Sequence, residues 1–111
     1  MINNNPIGIF DSGIGGLTIA RAIKKKLPNE SLIYFGDTQH LPYGDKSSKS
    51  IVFFSKQIIN FLRTKKCKAI IVACNSASSY LPISSDCQNI FNVIDPVIKY
   101  LKKFKKLKIG I

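Results

Sequence analysis

Residues 6–28 read PIGIFDSGIGGLTIARAIKKKLP, and the way this stretch changes character decides the fold class. PIGIF is a short apolar run with the composition of a buried strand. It ends on Asp11 in a glycine-rich turn, DSGIGG. Leu17, Ala20, Ile23 and Leu27 then recur at helical spacing until Pro28 stops the pattern. Strand, tight turn and helix in this order begin the alternation from which α/β sheets are built.

The alternation continues down the chain. LIYF (32–35) reads as a second strand, and a polar loop, GDTQHLPYGDKSS (36–48), leads into SKSIVFFSKQIINFLRTKK (48–66). There Ile51, Phe54, Ile58, Phe61 and Leu62 form one apolar helix face. AIIVA (69–73) is the third strand, and NSASSYL (75–81) can open a helix that Pro82 and the following SSD weaken. FNVI (91–94) supplies a fourth strand, PVIKYLKKF (96–104) a helix with proline in its first turn, and KIGI (108–111) a fifth strand. The expected fold is therefore α/β, a doubly wound open parallel sheet. Asp11 and Ser12 then follow strand one, Gly36 and Asp37 strand two, Cys74 and Asn75 strand three, and Asp95 strand four. Ligands of such sheets bind outside the carboxyl ends of the strands, so all four groups point to one edge.

Composition narrows the class. The chain has 111 residues, 45% hydrophobic and 21% charged, with no repeat or biased segment, which fits one ordered globular domain. No run reaches the roughly 20 apolar residues that span a bilayer. The start, MINNNPIGIFDSG, lacks the basic head of a secretory signal. Three cysteines, Cys67, Cys74 and Cys87, form no CxxC pair and leave an odd thiol, so a reducing, cytoplasmic setting is expected. No metal is expected, because the single histidine, His40, has no second ligand at a recognisable spacing. The net charge of +11 rests on fifteen lysines and only two arginines, Arg21 and Arg63. The lysines gather at 24–26, 65–68 and 99–108, at helix ends and outer faces, where they complement the helix dipole. A solvated surface is expected rather than a nucleic-acid site, since the planar forks that read base edges are nearly absent.

Two motifs carry chemistry. DSGIGG can offer free backbone N–H groups to a carboxylate or phosphate at a helix N-terminus, though it is neither a P-loop nor GxGxxG and also serves simply as a tight turn. Cys74 allows two readings. A cysteine ending a buried strand is commonly an inert small hydrophobe. A thiol at the mouth of a helix, with Asn75 and Ser76 beside it, is also a setting that favours thiolate chemistry.

Taken together, GIFDSGIGGLTI, YFGDTQHLPYG and VACNSAS, in this order and spacing, resemble the glutamate racemases of the Asp/Glu racemase superfamily. The FDSGIGG start favours them over aspartate racemases. The resemblance covers nearly the whole chain and implies a cofactor-independent amino-acid racemase, an isomerase supplying D-glutamate for peptidoglycan and cell shape. It implies catalytic roles for Cys74, as one of two thiols, and for Asp11 beside it. Substrate contacts are implied for Asp11, Ser12, Tyr43, Gly44, Asn75 and Ser76. Family members often have threonine where this chain has Ser76, and commonly arginine at His40. They have two similar α/β domains facing a shared cleft, so residues 1–107 would be the first and 108–111 the start of the crossover to a second. That second domain would bring the opposing thiol, and without it the chain by itself is expected to be inactive. Glutamate and the second domain are the expected partners, with a homodimer compatible, and neither membrane nor nucleic acid. An aspartate racemase-like enzyme and a non-catalytic lysine-rich binding module are the alternatives.

Overall fold

In a computed structural model, residues 3–81 and 89–103 are described. Strand β1, Ile7–Asp11, is buried along its whole length. It pairs in parallel with β2 (Leu32–Gly36) on one side and with β3 (Ala69–Val72) on the other, and β3 pairs in parallel with β4 (Ile90–Asn92). The order β2-β1-β3-β4 means that the chain winds outward from β1, returns across it and continues the other way. Such doubly wound sheets open a crevice where the winding reverses, here above the ends of β1 and β3.

Parallel strands need crossovers, and right-handed ones put the helices before and after the reversal on opposite faces. Helix α1 (Leu17–Lys26) therefore lies on one face, and α2 (Ser48–Thr64) with α3 (Asn75–Tyr80) on the other. The period-two alternation of β1 divides accordingly. Phe10 joins Ile70, Val72 and Ile90 in a core with Ile51, Ile58, Ile59 and Leu62 of α2 and Ala77 of α3, while Ile9 is fully buried outside that cluster. Each of the larger apolar side chains contributes about 1.5–3 kcal/mol of burial.

Helix α2 starts at Ser47, whose hydroxyl accepts the Ser50 N–H at 3.2 Å. It buries Ser55 and Ile59 in addition to the expected Ile51, Ile58 and Leu62. Phe61 is instead 42% exposed, edge-on to Phe35 at 5.6 Å. After α2, Lys66 takes a left-handed turn (φ 59°) that returns the chain toward β3. Helix α1 buries no residue fully: Ala20 and Ile23 are half-buried, while Leu17 lies open. Phe91 of β4 and Val97 and Ile98 of α4 (Asp95–Leu101) are exposed as well. Lys24, Lys25 and Lys26 face solvent in the last turn of α1, and Lys68 pairs with Glu30 at 2.5 Å. Among the described residues, no helix is long and apolar enough to cross a membrane.

The fourth strand differs from its expected span. It runs from Ile90 to Asn92 rather than over 91–94, because the Asn92 side chain accepts the N–H groups of Ile94 (3.0 Å) and Asp95 (2.7 Å) and ends the ladder there. Asp95 thus belongs to α4, and Asn92 is the polar residue at the end of β4. Cys87, the Pro82–SSD interruption, the KIGI strand and the 107/108 boundary lie outside the described residues.

Gly36, ending β2, sits against the β1–α1 turn, and a Cβ there would fall on the carbonyl of Gly13. Backbone cannot yield as a side-chain tip can, so Gly36→Ala should destabilise by about 1–3 kcal/mol in urea unfolding. Gly44→Ala, with open space around it, should change stability by less than ~0.5 kcal/mol.

Candidate active site

Asp11 ends β1 on a face where its carboxylate is buried, and a buried carboxylate must be hydrogen-bonded. Its two oxygens accept the N–H of Ser12 at 2.8 Å and of Gly16 at 2.6 Å, which curls the DSGIGG turn around it. The Tyr34 hydroxyl, from the neighbouring strand, is shared between the Gly13 carbonyl at 2.9 Å and Asp11 at 3.3 Å. Gly16 is required by close approach: a Cβ would lie 2.9 Å from Asp11 Cβ and 3.1 Å from Ala73 Cβ. The start of α1 can therefore nestle between the ends of β1 and β3.

Across the crevice, Cys74 caps α3, its buried Sγ accepting the Ala77 N–H at 3.5 Å. Ser78, one turn on, donates to the Val72 carbonyl (3.1 Å) and accepts the Val93 N–H (3.4 Å), tying α3 to the ends of β3 and β4. These two walls enclose a cleft of about 460 Å³. Asp11, Ser12, Gly15 and Gly16 line it from the turn, Ala73, Cys74, Asn75 and Ser76 from the β3–α3 junction, and Ile19 and Val93 at its edges. A larger hollow of about 540 Å³ lies between α2 and Tyr80, but it holds neither carboxylate nor thiol. A smaller one of about 230 Å³ is lined by Asp37 and His40 beside α2, and of these three the strand-end cleft is the one that brings a carboxylate and a thiol together.

Five of the expected residues, Asp11, Ser12, Cys74, Asn75 and Ser76, share this cleft, and Tyr43 and Gly44 do not line it. The Tyr43 ring is buried, packed at 6.2 Å from Phe10, and its hydroxyl donates to Asp37 at 2.5 Å. Burial, that bond, and the nearby Asp37, Cys74 and Asp11 charges all push the phenol upward, so Tyr43 stays a proton donor beside the thiol. The turn carrying it (Tyr43–Asp45) packs on α3. Gly44 is exposed on the same turn. Sequence reasoning missed Asn92 and Ser78. Asn92 was signalled by an amide interrupting the apolar run IFNVI, whereas nothing distinguished Ser78 among its hydroxyl neighbours. Among the described residues no three His, Cys, Asp or Glu side chains are grouped as metal ligands would be.

The chain is similar in sequence and in fold to known proteins. The chain is 45% identical over 93 residues to the glutamate racemase of Thermoanaerobacter pseudethanolicus, covering 84% of this chain and 35% of that protein. It is 43% identical over 109 residues to the glutamate racemase of Aquifex aeolicus, covering 95% and 43%. Its fold superposes with a TM-score of 0.85 on glutamate racemase from Thermus thermophilus in complex with β-chloro-D-alanine, at 42% identity over 93% of this chain and 41% of that one. The Francisella tularensis glutamate racemase in complex with D-glutamate gives a TM-score of 0.81 at 41% identity, over 92% and 40%. No protein-family model matches the chain. The chain thus spans about a third to two-fifths of the length of the relatives it matches, and the resemblance carried by its three motifs holds across most of its sequence and its α/β fold.

Two outcomes follow from the Asp11 network. Asp11→Asn turns one acceptor into a donor facing an N–H, so it should lower unfolding free energy by about 1–3 kcal/mol as well as disturbing the cleft. Burial, with Asp11 beside it, raises Tyr34 from 10.0 to about 12. A group raised in the folded state stabilises below its unfolded value and ceases to do so as pH rises through the folded one. Stability should therefore fall between pH 10 and about 12, and Tyr34→Phe should flatten part of that fall in denaturation curves taken across the window.

Proposed function

We propose that this chain forms one wall of a glutamate racemase site, as its similarity to those enzymes over most of its length suggests. The observation that carries the reading is the pairing, across one cleft at the reversal of the sheet, of the Asp11–Ser12 turn with Cys74, Asn75 and Ser76. Racemisation removes the α-proton from one face of an amino acid and returns a proton on the other. Two groups on opposite faces, one accepting while the other donates, do this directly, and a thiolate and a thiol exchange roles after each turnover.

In this reading Cys74 serves the face from which D-glutamate loses its proton. Asp11 acts beside it, by the charge it holds near the thiol and by fixing the turn. Ser12, Asn75 and Ser76 hold the substrate carboxylates, joined by the Tyr43–Gly44 turn next to α3. Donors fixed where negative charge develops are worth about 3 kcal/mol each. No cofactor is required, since proton transfer needs only the paired acids and bases. A second, similar domain brings the opposing thiol, and the D-glutamate formed serves peptidoglycan synthesis in the cytoplasm.

In the full-length protein, Cys74→Ser should lower racemisation by ~10²–10⁴, because an alcohol is a far poorer acid than a thiol at equal geometry. Near-normal turnover would remove Cys74 from the mechanism. Residues 1–111 alone, incubated with each glutamate enantiomer in heavy water, should show α-deuteration at most and no inversion. Chirality and deuterium content are followed separately, and inversion by this segment with no second polypeptide would overturn the two-thiol model.

A further inference from the structure

Asp37 follows β2 and is a second strand-end carboxylate that is nearly inaccessible, 6% exposed. It does not line the cleft. Its oxygens accept the Tyr43 hydroxyl at 2.5 Å and His40 Nδ1 at 2.8 Å, and its backbone N–H donates to the Asp11 carbonyl at 2.8 Å. The carboxylate accepts both side-chain bonds, which requires the proton on Nδ1 whether the imidazole is neutral or charged. The ring is held in that orientation by stacking on Phe54 of α2, centroids 3.8 Å apart and planes 19° from parallel. Order therefore passes from α2 through Phe54 to His40, Asp37 and the buried Tyr43, whose turn packs on α3 next to Cys74.

We propose that His40 is a positioning residue: through Asp37 it fixes the Tyr43–Gly44 turn at the side of the cleft and thereby tunes substrate binding, without taking part in proton transfer. This rests on the reading of that turn as a substrate contact. His40 is suited to the role because it is not among the residues lining the cleft and its side chain is 32% exposed. Removing it takes one of two side-chain donors from a buried carboxylate and a stacking partner from Phe54, but no residue of the buried core cluster. Asp37 then relaxes toward solvent, and the Tyr43 hydroxyl loses a fixed acceptor.

The test compares full-length wild type with His40→Ala, His40→Asn and Tyr43→Phe, the asparagine amide restoring a donor near the Nδ1 position without charge. His40→Ala should raise KM for both enantiomers roughly tenfold, the effect of losing one charge-assisted bond, with kcat changed less than about twofold. His40→Asn should recover most of that loss. The His40→Ala/Tyr43→Phe double variant should be no worse than the poorer single one, since both cut the same chain. An unchanged KM in His40→Ala, or kcat falling in step with Tm in every variant including asparagine, would overturn the proposal. The ¹³Cζ resonance of labelled Tyr43 gives a readout free of activity: it should move in His40→Ala and return in His40→Asn. Were the wild-type protein to racemise neither enantiomer, the functional reading would fall, and an immobile Tyr43 resonance would independently sink the role of His40.

Discussion

The buried carboxylate of Asp11 is the constraint around which the strand ends are organised. An ionised group held away from water requires donors, and the nearest available are the main-chain N–H groups of the turn that follows. Accepting from Ser12 and Gly16, Asp11 folds that turn back over the end of β1 and sets where α1 begins. The glycines are a consequence. Gly16 must lack a side chain to approach Asp11 and Ala73, and Gly36 must lack one to pass the Gly13 carbonyl. The sequence DSGIGG thus works here less as a free anion cradle than as the shell of a carboxylate.

Topology converts this local constraint into a site. Because β1 lies between β2 and β3, the turn leaving β1 toward one face and the junction leaving β3 toward the other part from each other, and a crevice opens between them. Asp11 and Ser12 come from one departure and Cys74, Asn75 and Ser76 from the other. The α2 and α3 side is densely packed, which gives Cys74 and Tyr43 rigid support. On the opposite face of β1, Ile7 and Ile9 are buried as well, while Phe91 of β4 and Val97 and Ile98 of α4 stay exposed.

The sheet and the edge that carries the cleft were legible because hydrophobic period and glycine turns are local signals, and alternating strands and helices leave few topologies. Strand β4 was misread by two residues at its end because an asparagine side chain imitating a backbone acceptor ended it, and apolar Val93 and Ile94 carried the pattern onward. The face of α2 was misassigned at Phe61, since helical spacing does not say how wide the buried stripe is. Tyr43 was legible as a member of the YFGDTQHLPYG motif but not in its manner of use. Sequence gives no sign that its ring is interior and its hydroxyl committed to Asp37. Ser78 was silent, because a buried serine and an exposed one look alike in NSASS.

The two strand-end carboxylates perform one task twice. Asp11 gathers the turn after β1, Asp37 gathers the loop after β2, and the bond from the Asp37 N–H to the Asp11 carbonyl joins them across the sheet. Ser12 and Tyr43 are therefore fixed relative to one another by a continuous path of backbone and buried charge. Such preorganisation matters for any ligand of the cleft, because groups free to adjust would lose in ordering what they gain in contact. Burial of acidic side chains at the ends of adjacent strands is costly in isolation. Here each is matched by donors from its own following loop, so the desolvation that would destabilise a lone carboxylate becomes the force that shapes the loops around the cleft.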